Sequence, residues 1–149
     1  PEHQADVHAS AALRRGRVLC SALGVLEATV KRDMDTIRRI VLAVLAADGP
    51  VNYQAVEGLS EQDFAMHAQL LDEAGLVQAA LQGGDKRIAK AAIVFRLTWA
   101  GHEFADSILD DTLWQKAKDH VIKPSASWTF GILVEYLKVE IRRHIPGLP

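Results

Sequence analysis

One cysteine, Cys20, stands in 149 residues, so no internal disulfide can close and no cysteine-based zinc site can form. A disulfide scaffold and a zinc finger are excluded, and a reducing, cytoplasmic setting is the expectation. No apolar run approaches the ~20 residues needed to cross a bilayer, so no membrane role is expected. Surplus charge is lacking too: 17 Lys+Arg against 19 Asp+Glu leave a net charge of −2, unlike a protein that coats nucleic acid nonspecifically. The cations also leave a long gap. From Ile40 through Asp85 there is no Lys or Arg, whereas Asp48, Glu57, Glu61, Asp63, Asp72, Glu73 and Asp85 contribute seven negative charges. No phosphate-binding loop occurs, and no residues suggest a nucleophile, a base and an oxyanion donor together, so a noncatalytic chain without a cofactor is expected. What is present is 49% hydrophobic and 24% charged residues, the balance of a soluble domain with a packed core.

Residues 1–30 carry Arg14, Arg15 and Arg17 ahead of an apolar run from Val18 to Leu26, the outline of a signal peptide. Glu27 follows directly and Leu19 before Cys20 does not make a lipoprotein box, which argues against secretion. An Ala-rich helix with Leu19, Leu23 and Leu26 on one face is the plainer reading. A third is that the segment lies upstream of the native start: Leu26-Glu27-Ala28 can be encoded by a purine-rich ribosome-binding sequence, with Val30 as a GTG initiator. The nucleotide sequence decides it.

From Lys31 onward the apolar spacing becomes regular. Met34, Ile37, Val41, Val44 and Leu45, with Ile40 alongside, predict a helix stopped by Gly49-Pro50. Val51 to Val56 is short and β-favouring, a candidate single strand. Ser60, three residues before Asp63, caps a second helix over 61–74, with Phe64, Ala68 and Leu71 inward and Gly75 as a left-handed stop. Leu76 to Leu81 and Ile88 to Leu97 flank Gly83-Gly84-Asp85 and predict a hairpin. Thr98 caps a helix carrying Phe104 and Ile108, Asp110-Asp111 restarts it, and Trp114, Ala117 and Val121 continue the face to Pro124. A last helix, capped by Ser127, buries Phe130, Leu133, Val134, Leu137 and Ile141, and Arg142, Arg143 and His144 suit its C-terminal dipole. Helix, short strand, helix, hairpin and helix is the order of an α+β winged-helix-like domain with additional C-terminal helices. The division is 1–30 as an extension, 31–123 as the winged-helix-like domain and 124–149 as a C-terminal helix packed on it.

Four runs sharpen that reading. They are K-R-D-M-D-T-I-R-R-I (Lys31 to Ile40), H-A-Q-L-L-D-E-A-G-L-V (His67 to Val77), L-T-W-A-G-H-E-F (Leu97 to Phe104) and D-S-I-L-D-D-T-L-W-Q-K-A-K (Asp106 to Lys118). Together they resemble the domain of unknown function 2513 family of bacterial and phage proteins, over about Lys31 to Lys123. The resemblance implies a small protein of phages, prophages or other mobile DNA. It brings no catalytic residues with it.

Two kinds of partner follow from the charges. Double-stranded DNA would meet the wing and the first helix, through Lys86, Arg87, Lys90, Arg96, Arg38 and Arg39, in a DNA-binding regulator. The helix 61–74 itself lacks phosphate anchors, although Gln62, His67 and Gln69 have base-reading chemistry, and no positioning helix fits between Pro50 and Ser60. The alternative is a protein-interaction module, an adaptor or inhibitor, presenting Glu61, Asp63, His67, Asp72 and Glu73 to a basic partner or to a second copy. A homodimer through the C-terminal helix is a further expectation. His102-Glu103 lacks the second histidine of a zinc-protease motif, since Asp106 stands there, and His102 reads as partly buried. His67 reads as a helix-surface histidine, and Trp99, Trp114 and Trp128 with Phe104 and Phe130 read as core rather than as a stacking platform.

Overall fold

Apolar residues at helical spacing and polar caps at its breaks build most of the chain. The computed structural model describes residues 31–83, 87–124 and 127–147. The readings of 1–30 and Cys20 lie outside those residues, as does Lys86. The elements described below belong to the unit Met34–Pro149.

Helix α1 (Met34–Ala46) buries Met34, Ile37, Ile40, Val41 and Val44, whereas Leu45 of the predicted stripe is only half-buried. A single turn of 3-10 helix follows at Tyr53–Ala55, where the Asn52 side chain accepts a hydrogen bond from the Gln54 N–H at 3.0 Å. The strand expected over Val51 to Val56 is therefore reduced to Val51, which exchanges two backbone hydrogen bonds of 2.8 Å with Val94. Asn52 prefers to satisfy a local turn rather than a ladder.

Helix α2 (Glu61–Glu73) begins at the predicted cap, the Ser60 hydroxyl accepting from the Asp63 N–H at 3.1 Å, and Gly75 takes φ +74° just beyond its end. The hairpin pairs β1 (Val77–Gln82) with β2 (Ala91–Leu97), antiparallel. Gln78 faces Arg96 and Ala79 faces Val94, so Phe95 is an extra, bulged residue. The bulge turns Val94 and Leu97 both inward and leaves Ile93 and Phe95 44% and 51% exposed.

Helix α3 (Trp99–Ile108) is capped by Thr98 and buries Phe104, Ala105 and Ile108. Gly101 lies against the β1 lead-in so closely that a Cβ there would sit 1.9 Å from the Leu76 carbonyl oxygen. Trp99 is 82% exposed, which corrects its assignment to the core, and His102 is exposed rather than partly buried. Trp99 lies five residues before Phe104, about 140° away around the helix, so it faces outward when Phe104 faces in. Asp110 caps α4 (Asp111–Ala117), which widens into a π turn at Lys118–Ile122. Helix α5 (Phe130–His144) is capped by Thr129 rather than Ser127 and buries Leu133 and Leu137, together with Glu140, whose carboxylate meets Arg143 at 2.9 Å.

The core runs through Ile40, Val41, Phe64, Leu71, Val94, Ile108, Leu133 and Leu137. Helix α2 packs on both strands, α1 on α3 and β2, and α5 on α3 and α4, with the Phe104 and Phe130 rings edge to face at 5.0 Å. A polar clamp joins α1 to α4. Asp35 accepts from the Trp114 indole N–H at 2.9 Å and meets the Lys118 ammonium at 3.2 Å. Burial pushes the Asp35 carboxyl up, but the Trp114 and Lys118 hydrogen bonds with the Lys118 and Arg38 charges outweigh it and hold the group below its ordinary 3.8. Among the described residues, no helix is long and apolar enough to cross a membrane.

Candidate interaction surfaces

Helix α2 occupies the place of a recognition helix, and its burial decides what it can present. Phe64, Ala65, Met66, His67, Ala68 and Leu71 are all buried, a broad face that includes the histidine. His67 is 3% exposed and its Nδ1–H donates to the Asp63 carbonyl at 2.7 Å, which corrects its reading as a surface residue. Gln69 also turns to the protein: its amide donates to the Arg87 carbonyl at 3.1 Å and accepts from the Ala89 N–H at 2.8 Å. Two of the three side chains with base-reading chemistry are thus engaged within the fold.

The outward face of α2 is left with Glu61, Gln62, Asp72 and Glu73, while Asp63 is half-buried. Asp72 and Glu73 sit in the last turn, where no cation accompanies them. The partial negative charge of the helix C-terminus opposes carboxylates there by about 0.3–1 kcal/mol each. The structure brings Glu61 and Asp63 to one end of this helix and Asp72 and Glu73 to the other.

The cations divide differently from the sequence expectation. Arg38 is withdrawn from solvent: its Nε donates to the Ile108 carbonyl at 2.8 Å, its Nη2 to the Leu109 carbonyl at 3.2 Å and to Asp111 at 2.6 Å, and it lies 5.8 Å from the Trp114 ring. It ties the end of α3 to α4 and is not displayed toward a phosphate. Arg39 is exposed but donates to the Glu57 carbonyl. Arg96 is exposed and bonds Gln78 and the Leu97 carbonyl at 3.2 and 3.1 Å. Arg87 and Lys90 are exposed at the hairpin end.

Sequence reasoning passed over the exposed apolar groups. Ile93, Phe95 and Trp99 are exposed from the hairpin into α3, and Ile132 and Val139 on α5 beside a groove of about 480 Å³. Helical spacing was the available signal for Trp99; nothing local announces the bulge that exposes Phe95. Glu103 accepts from the Trp99 indole N–H at 2.8 Å, so its carboxylate is engaged with an aromatic neighbour. Among the described residues no group of three or more His, Cys, Asp or Glu is placed to hold a metal ion.

A family model described as "Hypothetical protein (DUF2513)" matches residues 31–127. An uncharacterized protein of Haemophilus influenzae is 33% identical over 92 residues, covering 60% of this chain and 76% of that protein. No solved structure matches.

Proposed function

From the premise that this chain belongs to the DUF2513 family, we propose that it is a noncatalytic, winged-helix-like binding protein whose partner is another protein. The order α1, Val51 bridge, α2, β1, β2 supports the winged-helix-like reading, because Val51 lies on the opposite side of β2 from β1, as a third short strand of such a domain would. The phage or mobile-element setting belongs to the same proposal and rests on the four family-like runs. The observation that carries the choice of partner is the state of α2. Its His67 and Gln69 are spent inside the fold, and its outward face offers carboxylates without a cation. Such a face repels phosphates and attracts a basic protein surface. Carboxylates in the last turn also oppose the helix dipole, a local cost of the kind that functional sites accept.

A second reading has its own support. Arg87 and Lys90 stand exposed at the end of the hairpin, with Arg96 along it, and can contact the DNA backbone as a wing does. One experiment separates the two. The tagged chain is cross-linked in its cell of origin, the protein joined through α2 is identified, and its affinity is measured with wild type and with Asp72→Lys/Glu73→Lys. Expected is a loss of at least about tenfold, the scale of 1.4 kcal/mol, in a complex weakened by salt. Unchanged affinity overturns the reading, and so does salt-dependent binding to a duplex library that Arg87→Ala/Lys90→Ala abolishes.

A further inference from the structure

Strand β2 is the middle of the hairpin sheet. Val51 holds one side of it through two 2.8 Å hydrogen bonds and β1 holds the other, so among the described residues β1 is the edge. No described residue gives the outer edge of β1 a backbone hydrogen bond. Alternate N–H and C=O groups of Val77–Gln82 therefore face outward along that edge. Proteins usually blunt such an edge with a charged residue, a proline or a bulge. Val77-Gln78-Ala79-Ala80-Leu81-Gln82 has no charge and no proline, and the bulged residue, Phe95, belongs to β2.

The strand is also nearly the same read from either end. Gln78 to Gln82 runs Gln-Ala-Ala-Leu-Gln, a palindrome broken only by Ala79 against Leu81. In a two-fold contact residue i of one copy meets j of the other while j meets i, so a near-palindrome sets like residues against like. Antiparallel pairing centred on Ala80 sets Ala80 against its own equivalent, Gln78 against Gln82 and Ala79 against Leu81. That register keeps the exposed Gln78, Ala80 and Gln82 on one face and the half-buried Ala79 and Leu81 on the other. Alanine at the axis admits the usual spacing of about 4.7–4.9 Å between strands, the glutamine amides face each other, and no like charges meet. Ile93 stands opposite Ala80 in the hairpin and is exposed, so joining two sheets lines up Ile93, Ala80 and their equivalents in one apolar row.

We propose that two copies of this chain associate by antiparallel β1–β1 pairing about Ala80, forming one sheet across a two-fold axis. The contact uses neither Asp72 and Glu73 nor the cations of the hairpin end, although Glu61, at the other end of α2, lines one groove with Ala80, Leu81 and Gln82. Sedimentation equilibrium of the full chain tests it. Wild type is expected at twice the 16.3 kDa chain mass. Ala80→Lys and Ala80→Glu, each at an exposed position, are expected to be folded by circular dichroism yet monomeric, because like charges meet at the axis. Mixing the two in equal amounts restores the dimer by opposing Lys to Glu. A monomeric wild type overturns the proposal, whether the edge is bare or covered by another segment of the chain. A dimer indifferent to Ala80→Lys overturns it as well, as does one broken instead by Ile132→Asp/Val139→Asp on α5. Failure of the mixture to reassociate overturns the register.

Discussion

Asp35 shows how one carboxylate is recruited to hold two helices together, since it receives both the Trp114 indole and the Lys118 ammonium. Its folded pKa lies below the ordinary 3.8. A depressed carboxyl contributes stability that is fully present above the unfolded value and is lost as pH falls through the folded one. Asp35→Asn is therefore expected to lower the urea midpoint at neutral pH, and the gap from wild type should narrow as pH is taken from about 5 to about 2. A gap constant across that range contradicts the assignment. None of this was legible locally, because Trp114 lies 79 positions away. His67 teaches the same lesson. Its place in the sequence reads as helix surface, but the packing of α2 turned its ring into the fold.

At the scale of elements, local chemistry explains the ends and long-range contacts explain the rest. Ser60, Thr98 and Asp110 cap the helices that their spacing predicts, and Gly75 ends α2 in the left-handed region. The Val51 to Val56 segment fooled the strand rule because Asn52 supplies a turn hydrogen bond within two residues. The hairpin end depends on α2, whose Gln69 amide serves the Arg87 carbonyl and the Ala89 N–H. Gln69→Leu leaves the buried Ala89 donor without that acceptor, at an expected cost of about 1–3 kcal/mol. Chemical denaturation reads the loss, and faster hydrogen exchange at the Ala89 amide localises it. Unaltered exchange there would show that the side chain does not hold the hairpin.

At the scale of the whole molecule, the two proposed surfaces sit on different elements and should separate. Asp72→Lys/Glu73→Lys is expected to keep the wild-type sedimentation mass, because neither position lies in β1. Ala80→Lys is expected to keep affinity for the partner of α2 within a factor of about two, as for distant and independent sites. Coupled losses in both variants would mean that partner and second copy share one surface. The exposed cations of the hairpin end are untouched by either variant, so the duplex series described above can be run on the same proteins.

The sequence alone determined the helices, the hairpin and the cation-free stretch from Ile40 to Asp85, because helical period, caps, glycine stops and net charge are properties of neighbours along the chain. The tertiary structure decided which polar groups remain for partners. Arg38 reaches carbonyls 70 and 71 positions away, Gln69 reaches a donor 20 positions away, and the bulge at Phe95 is defined only against the facing strand. That β1 is the edge among the described residues is likewise a property of the sheet, since a strand is an edge only once its neighbours have been placed.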